Sequence, residues 1–329
     1  MKNFTYYRPT SVDQALALLD TRWGTAELLA GGTDLHDLQK EYVAQPSRVV
    51  SLGGVNGLGG IAANDREVRI GAGVKLAEIA AHAAIRKHFP GLASAAGDVG
   101  GPQIRNMGTL GGNLCQRNRC WYFRDEHTNC LLKGGQRCFA LEGENRYHAA
   151  FAQGHRCVIV NPSTLAPVLI ALDATVEVQG PRGRNNVELA KFFRAPTGPT
   201  ERETILAPNE MVTSVTIPVR GLANASYEVR QKQSYDWPLV QAAVSFTRQD
   251  GKVNAVKIVL GHVAPTPQVA EARGIAGRAV TEDTAAAAGR AAAEGAKPLS
   301  QTGYKIRLIE VAVKRALLIA AGQKRYWEA

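Results

Sequence analysis

All five cysteines of this 329-residue chain lie in one segment, between residues 115 and 157. They are Cys115, Cys120, Cys130, Cys138 and Cys157. Thiolates are soft ligands that suit zinc or iron–sulfur clusters, and the arginines and lysines of the same segment lower thiol pKa values. No Cys-x-x-Cys pair occurs, so neither a zinc ribbon nor a thioredoxin site is indicated. The spacing leaves three alternatives open: a metal or cluster site, unpaired structural thiols, and disulfides.

Two short glycine motifs have the composition of an anion-binding turn. The first, residues 29–35, is LAGGTDL, and the second, residues 109–113, is TLGGN. Glycine reaches positive φ without strain, so successive N–H groups can converge on an anion. Either motif alone is also compatible with an ordinary tight turn, but two of them suit a ligand with two phosphates, such as FAD. The chain has neither a Gly-x-Gly-x-x-Gly nor a P-loop motif, so the usual dinucleotide-binding fold is unsupported.

The seven histidines do not form a metal-binding set. His127 and His155 are close in sequence to cysteines, so they are the candidates for hydrogen bonds to them. A surface or packing role is the default expectation for every histidine, including the five dispersed ones: His36, His82, His88, His148 and His262. No Ser/His/Asp arrangement or carboxylate pair favours hydrolysis. No residue of this chain is therefore predicted to be catalytic.

The composition is ordinary for a globular protein, with 45% hydrophobic and 21% charged residues. The net charge of +10 is scattered along the chain and aromatic residues make up only 6%, so no basic stripe with a stacking platform indicates nucleic-acid binding. No apolar run reaches the roughly 18 residues of a membrane span, and the N-terminus has no apolar signal core. We expect a cytoplasmic protein, or a periplasmic one exported with a signal-bearing partner subunit.

Strands and helices interleave along the chain, which favours an α+β or mixed α/β fold over an all-β fold. Short apolar or alternating runs predict strands at residues 4–8, 26–30, 48–52, 67–71, 175–178, 240–247 and 255–260. Capping and periodicity predict helices over residues 12–19, 35–41, 75–86, 92–99, 165–172 and 281–296, with a last one from Ile306. Ser11 is the expected N-cap of the first helix. The glycine-rich residues 53–60 are predicted to be a linker or paired turns.

Together these motifs resemble one protein family, the FAD-binding medium subunits of the xanthine oxidase family of molybdenum hydroxylases. Residues 30–35 (AGGTDL) and 103–114 (QIRNMGTLGGNL) are similar to the two FAD motifs of that family, and residues 234–240 (SYDWPLV) to a motif of its C-terminal domain. The resemblance implies an α+β fold: a two-part FAD-binding domain of the vanillyl-alcohol-oxidase-like (PCMH) type, then a C-terminal α+β domain. The implied divisions are residues 1–52, 53–220 and 221–329, with an iron–sulfur loop at 115–157.

The cysteine segment is similar to an extra loop of two relatives, the periplasmic three-subunit aldehyde oxidoreductases and 4-hydroxybenzoyl-CoA reductase. Residues 119–124 (RCWYFR) and 145–149 (NRYHA) are closer to the aldehyde oxidoreductase form. This resemblance implies a [4Fe-4S] cluster whose ligands are Cys120, Cys130, Cys138 and Cys157. Cys115 is then a spare thiol, which we expect to pack near the flavin.

The resemblance also implies a set of FAD contacts. They are Leu29, Ala30, Gly31, Gly32, Thr33, Asp34, Leu35, Gly108, Thr109, Gly111, Gly112, Asn113, Ser163, Asp173, Leu206 and Lys232. Lys232, with Arg230 as the alternative, would stabilise negative charge on the reduced flavin. One departure concerns residues 161–164, which are NPST here, whereas those relatives usually carry His-Pro-Ser-Asp and use the acid to hold FAD. Asp173 or a backbone group is expected to take the place of that acid.

The implied function is that of an electron-transfer flavoprotein subunit in a three-subunit enzyme. A molybdopterin-binding large subunit performs the substrate chemistry, a small subunit carries two [2Fe-2S] clusters, and a ferredoxin-like carrier exchanges electrons with this chain. Aldehyde oxidation to a carboxylic acid is the expected reaction, with a 4-hydroxybenzoyl-CoA reductase-like enzyme or another aromatic or heterocycle hydroxylase as the alternative. Two other classes stay open: a stand-alone flavin enzyme, and a non-redox scaffold with a structural zinc.

Overall fold

The computed structural model describes residues 1–323 and 327. The chain begins with a small parallel sheet and two short helices. These elements are β1 (Thr5–Tyr7), α1 (Val12–Ala17), β2 (Ala26–Leu29), α2 (Leu35–Lys40) and β3 (Arg48–Ser51). The strand order is β1-β3-β2. Ser11 caps α1 as predicted, because its Oγ accepts a hydrogen bond from Gln14 N at 3.2 Å. The first glycine motif is the turn that leads from β2 into α2.

A five-stranded antiparallel sheet with a group of short helices follows. Its elements are β4 (Ile61–Ala63), β5 (Glu67–Gly71), α3 (Leu76–Ala81), α4 (Ala83–His88), α5 (Pro90–Asp98), α6 (Pro102–Met107), α7 (Leu110–Cys115), α8 (Trp121–Arg124), α9 (Leu165–Ala171), β6 (Thr175–Gly180), β7 (Gly183–Glu188) and β8 (Met211–Pro218). The strand order is β4-β5-β8-β6-β7. Ile70 of the sheet, Leu92 of α5 and Leu165 of α9 are buried in one hydrophobic core, so the helices cover the sheet and hold the second glycine motif beside it.

The last part of the described chain is a four-stranded antiparallel sheet packed against two helices. Its elements are β9 (Ala223–Val229), β10 (Val240–Gln249), β11 (Lys252–Gly261), β12 (Gln268–Ala270), α10 (Glu282–Ala293) and α11 (Tyr304–Ala320). The strand order is β12-β11-β10-β9. Phe246 of β10 and Ile309 of α11 share one core, which confirms the predicted amphipathic last helix. No helix in the described residues has the length and hydrophobicity to cross a bilayer.

The cysteine segment has little regular structure beyond α8 and two short 3-10 helices, Leu131–Lys133 and Phe139–Leu141. It is held by an apolar cluster of its own, in which Phe123, Leu131 and Ile159 pack with Cys130 and with Leu38 of α2. The segment therefore rests on the helix that follows the first glycine motif.

Several elements differ from the sequence-based predictions. The helix predicted over residues 75–86 is two helices, because the backbone at His82 is extended (φ −67°, ψ 127°). The helix predicted from residue 92 begins at Pro90, since proline fits the first turn of a helix. The second glycine motif forms the start of α7 and is not a turn: Thr109 caps this helix and accepts a hydrogen bond from Gly112 N at 3.1 Å. The sequence does not predict seven of the elements: α6, α8, β4, β7, β8, β9 and β12.

Candidate functional site

A cavity of about 610 Å³ lies between the two glycine motifs, and the loop between β9 and β10 borders it. This volume is in the range of cofactor sites. Most of the predicted FAD contacts line the cavity: Leu29, Ala30, Gly31, Gly32, Thr33, Asp34, Leu35, Gly108, Thr109, Gly111, Gly112, Asn113 and Leu206. Tyr235, Asp236 and Trp237 of the β9–β10 loop line it too. The fold therefore brings three motifs that are distant in sequence to one place.

The two glycine motifs meet through their backbones. A Cβ on Gly31 would overlap the carbonyl oxygen of Met107, the residue just before Gly108. Gly32 has a φ of +76°, as the anion-turn prediction required, and a Cβ there would come within 2.6 Å of the His36 ring. Only glycine fits at either position. Gly31 is required by the close approach of the Met107 backbone, and Gly32 by its positive φ and the nearby His36 ring.

The second motif presents a helix to the cavity. A Cβ on Gly111 would lie 3.0 Å from the Cβ of Ala72, and a Cβ on Gly112 would lie 3.0 Å from Thr109 Oγ1. Both glycines thus let α7 approach the sheet and the cap closely. Neither has a positive φ, so the expected nest of N–H groups is not formed by this motif.

Asp34 of the first motif is bound to the cysteine segment. Its Oδ2 accepts a hydrogen bond from Arg117 N at 2.8 Å, and its Oδ1 forms ion pairs with Arg119 at 2.9 Å and Arg124 at 2.6 Å. The Asp34 side chain is 19% exposed. The carboxylate therefore fixes the cysteine segment to the cavity wall, a role that the predicted phosphate contact did not include.

Arg119 places a positive charge on the cavity wall. Its guanidinium lies 4.4 Å from the centroid of the Trp237 ring, and burial lowers its pKa to about 10, although Asp34 opposes that shift. Its Nε is buried and has no hydrogen-bond partner within residues 1–323 and 327. The Arg119 guanidinium is paired with Asp34 and Asp37, but its buried Nε–H is left without an acceptor, and such a donor on the cavity wall fits an anionic group such as the pyrophosphate of FAD.

Three of the predicted FAD contacts, Ser163, Asp173 and Lys232, are outside the cavity lining. Ser163 is buried and donates from Oγ to Asn113 Oδ1 at 2.7 Å, so it supports a cavity residue. Asp173, which follows α9 with a φ of +58°, forms ion pairs with Arg220 at 2.7 Å and with Lys257. The structure does not bring Asp173 to the position of the missing acid.

The proposed flavin lysine is also away from the cavity lining. Lys232 is exposed, and its backbone N–H donates to Asp236 Oδ2 at 3.1 Å. Its alternative, Arg230, donates from Nη1 to the carbonyl of Asp98 at 2.8 Å. Asp98 and Asp236 both line the cavity, so Arg230 and Lys232 each contact one lining residue, and neither of them lines the cavity itself.

Four of the five cysteines come together. The Cys138 and Cys157 side chains are hydrogen-bonded to each other, which lowers the pKa of Cys138 and raises that of Cys157. Burial raises the pKa of Cys120 to about 12, with smaller contributions from the neighbouring Cys130 and Cys138. Cys115 instead lines the cavity, where burial raises its pKa to about 12. The structure thus separates Cys115 from the other four thiols, and the assignment of those four as metal ligands stays a prediction.

All five cysteines are free thiols, so the disulfide alternative is wrong. Within the described part of the chain, no group of three or more His, Cys, Asp or Glu side chains is arranged to hold a metal ion. Cysteine thiolates are the usual ligands of iron–sulfur clusters, and the cluster stays a prediction.

One histidine contacts this group of thiols, and it is His148. Its Nε2 lies 3.1 Å from Cys120 Sγ, and burial lowers its pKa to about 4, so the imidazole is neutral. The two histidines that the sequence favoured for this contact, His127 and His155, are both exposed.

Comparison with known proteins identifies the family. A family model described as the FAD binding domain in molybdopterin dehydrogenase matches residues 2–220. A second model, described as the CO dehydrogenase flavoprotein C-terminal domain, matches residues 225–320. The chain therefore belongs to the family of FAD-binding subunits of molybdenum hydroxylases, and it is an oxidoreductase subunit.

Individual relatives are similar over nearly their whole length. The aldehyde oxidoreductase FAD-binding subunit PaoB of Escherichia coli (strain K12) is 35% identical, over 98% of this chain and 100% of PaoB. The carbon monoxide dehydrogenase medium chain of Hydrogenophaga pseudoflava is 28% identical, over 95% of this chain and 96% of that one. A solved structure of carbon monoxide dehydrogenase from Hydrogenophaga pseudoflava, lacking the Mo-pyranopterin moiety of the molybdenum cofactor, matches with a TM-score of 0.76 and 27% identity, over 98% of each chain.

These similarities confirm the predicted FAD-binding subunit and its fold of two domains with mixed helices and sheets. The PCMH assignment and the iron–sulfur subset stay predictions. Sequence reasoning did not foresee that Arg119 and Trp237 would stack beside the cavity, or that Asp34 would bind the cysteine segment. Arg119 is adjacent to Cys120 in a segment rich in arginine, but nothing local indicates its partners, which come from distant parts of the chain.

Proposed function

We propose that this chain is the electron-transfer flavoprotein subunit of a three-subunit molybdenum hydroxylase, passing electrons between the [2Fe-2S] clusters of a small subunit, its own FAD and its own [4Fe-4S] cluster. One observation carries this proposal: Arg117 and Arg119 line the cavity, and the next residue, Cys120, belongs to the group of four thiols. A flavin and a cluster held by adjacent residues would form a short electron relay.

The cavity residues would hold FAD. When bound, FAD supplies a two-electron carrier and the cluster a one-electron carrier. Gly31 and Gly32 of the first motif and Gly111 and Gly112 of the second line the cavity and would contact the pyrophosphate, and Arg119 offers a buried Nε–H that has no partner in the described residues. Domain divisions at residues 1–52 and 53–220 would be the two halves of a PCMH-type domain. The proposed third division, 221–329, extends beyond the described residues.

The four clustered cysteines would hold the [4Fe-4S] cluster. Cys130 and Cys157 are buried in the apolar cluster of the segment, and the guanidinium of Arg137 lies 4.7 Å from the Phe139 ring centroid, next to Cys138. Apolar packing limits the access of water, and basic groups offset the negative charge of thiolate ligands. Both conditions suit a cluster of four cysteine thiolates.

Aldehyde oxidation to a carboxylic acid is the proposed reaction of the whole enzyme, because the relative at 35% identity is named an aldehyde oxidoreductase subunit. A 4-hydroxybenzoyl-CoA reductase-like enzyme, or another aromatic or heterocycle hydroxylase, is the second candidate, since other relatives include the nicotine 6-hydroxylase medium subunit of Paenarthrobacter nicotinovorans. The substrate chemistry would belong to a molybdopterin-binding large subunit in both cases.

The electron partner would be an acidic, ferredoxin-like carrier, because the chain has a net charge of +10 and opposite charges speed the encounter of two proteins. We place the enzyme in the cytoplasm, with export alongside a signal-bearing partner subunit as the alternative.

A serine series tests the cluster ligands. Purified chains carrying Cys120→Ser, Cys130→Ser, Cys138→Ser or Cys157→Ser should each lose most of their iron. Cys115→Ser is the matched control and should retain about four iron atoms per chain, because this thiol lines the flavin cavity. Loss of iron in the control with full retention in Cys120→Ser would overturn the ligand assignment.

A second test concerns electron flow. The chain assembled with its large and small subunits should reduce ferredoxin when supplied with an aldehyde, and the purified chain alone should not. Turnover of a small substrate by the isolated chain would instead support a stand-alone flavin enzyme.

A further inference from the structure

His148 is the histidine whose ring nitrogen contacts a clustered thiol. Its Nε2 is 3.1 Å from Cys120 Sγ, and the residue is 3% exposed. We propose that His148 is a positioning residue that donates a hydrogen bond from Nε2–H to Cys120 Sγ and raises the reduction potential of the [4Fe-4S] cluster. This inference rests on the proposed function, since it requires the cluster.

The chemistry of the contact fixes its direction. A cysteine that ligates iron is a thiolate and has no proton to donate, so the proton between the two atoms belongs to Nε2. In this neutral tautomer Nδ1 carries no hydrogen. Nδ1 of His148 is buried and has no hydrogen-bond partner within the described residues, so no neighbour there requires a proton on that atom.

Aromatic rings hold the imidazole in place. The Trp121 ring lies edge-on to it, with centroids 5.6 Å apart, and the Tyr122 ring is 6.4 Å away. Both aromatic residues directly follow Cys120 in α8. Cys120 is the N-cap of this short helix, and the helix packs against the imidazole, which limits the movement of the sulfur relative to the histidine.

The backbone around His148 is fixed by a distant part of the chain. His148 N donates to Asn145 O at 2.8 Å. The Asn145 side chain donates from Nδ2 to Ser300 Oγ at 3.0 Å and accepts from Gln301 N at 3.0 Å. Thr302 Oγ1 donates to the carbonyl of Ala149 at 3.1 Å. These bonds join the histidine to the segment before α11, so its position does not depend on the cysteine segment alone.

The sign of the effect follows from charge. Reduction adds an electron, and the negative charge on the ligand sulfurs grows. A hydrogen-bond donor to one of these sulfurs stabilises the reduced cluster more than the oxidised cluster, so the reduction potential rises. A bond to a charged acceptor is also stronger than one between neutral groups.

His148→Phe is the informative substitution. Phenylalanine keeps a ring among Trp121 and Tyr122 but removes the donor, and because Nδ1 has no partner in the described chain, only one hydrogen bond is lost. His155→Phe is the matched control, since His155 is an exposed histidine of the same segment. His148→Gln is the rescue variant, because its amide nitrogen can donate to the sulfur.

The measurement is the cluster potential of the full chain, followed by its electron paramagnetic resonance signal during a redox titration, together with iron content. We expect His148→Phe to lower the ratio of reduced to oxidised cluster at a fixed solution potential by about tenfold. For a one-electron couple this corresponds to a fall of about 59 mV in the reduction potential of the cluster. His155→Phe should match the wild type, and His148→Gln should recover most of the shift. If His148→Phe loses its iron, an iron-loaded His148→Gln with a near wild-type potential still supports the inference.

Two outcomes overturn the inference: an unchanged potential in iron-loaded His148→Phe, or loss of iron from both His148 variants, which would make the residue purely structural. Failure of the proposed function is recognised separately: a wild-type chain without iron would contradict the proposed cluster, and with it the proposed function.

Discussion

Asp34 Oδ1 and Arg124 Nη2 form an ion pair of 2.6 Å that joins the first glycine motif to α8 of the cysteine segment. The side chains are 19% and 13% exposed, respectively. The same carboxylate also binds Arg119, which faces the cavity. Asp34 thus joins the wall of the proposed flavin cavity to the cysteine segment, and its neighbour Asp37 pairs with the same two arginines.

Asp34→Asn should destabilise the chain by about 2 kcal/mol, because it removes the less exposed of the two carboxylates that pair with the mostly buried guanidinium groups of Arg119 and Arg124. Asp37→Asn is the matched control: Asp37 pairs with the same arginines, but its side chain is 55% exposed, so its loss should cost less than about 1 kcal/mol. Urea unfolding of both variants measures the difference, and equal costs would contradict the role assigned to Asp34.

Gly31→Ala should lower FAD content strongly and destabilise the chain by about 1–3 kcal/mol, since the new methyl group would displace the Met107 backbone at the junction of the two motifs. Gly59→Ala is the control, because no atom lies within 4 Å of a Cβ there. The ratio of flavin to protein absorbance after desalting is the measurement. Full FAD content in Gly31→Ala would show that this close approach is not needed for the site.

Asp173→Asn and Lys232→Ala should both keep full FAD content. Neither residue lines the cavity, and asparagine tolerates the positive φ of position 173. The ion pairs of Asp173 are partly exposed, so stability should change by less than about 1 kcal/mol. Loss of flavin from either variant would restore the original sequence-based assignment.

Glu228 should make stability depend on pH. Its side chain is 3% exposed, and burial raises its pKa from 4.5 to about 8, with Asp98 adding to the shift and Arg230 opposing it. Between these two values the folded chain binds a proton that the unfolded chain does not, so the free energy of unfolding falls as pH rises from 4.5 to about 8.

Glu228→Gln cannot titrate, so its stability relative to the wild type should improve between pH 5 and pH 8. Urea unfolding at the two pH values measures this change. Glu188→Gln serves as the control, because the Glu188 side chain is 64% exposed. Parallel pH profiles for Glu228→Gln and the wild type would refute the buried, protonated carboxyl.

Local sequence signals predicted the features that depend on local structure. Ser11 was identified as a cap because a serine oxygen can satisfy a free N–H at a helix start, and the last helix was predicted from apolar residues such as Ile309 and Val313. The second glycine motif was misjudged, because two glycines have low helix propensity, while packing against Ala72 and capping by Thr109 stabilise α7 regardless.

The sequence did not predict the contacts between residues that are far apart in the chain. The pairing of Asp34 with Arg124 spans 90 positions, and the contact of His148 with Cys120 spans 28. Both depend on how the cysteine segment folds, and neither residue type nor spacing encodes that. The resemblance to the FAD motifs of the family, by contrast, indicated most of the residues that line the cavity. Such motifs carry information about the folded site that the residue types and spacing of one sequence do not.

Cofactor analysis of the purified chain tests the central claim most directly. The account predicts a visible absorbance spectrum with flavin and iron–sulfur features, and about one FAD, four iron and four acid-labile sulfide per chain. A colourless protein with one zinc would contradict the flavin and the cluster together, and FAD without iron or sulfide would contradict the cluster alone.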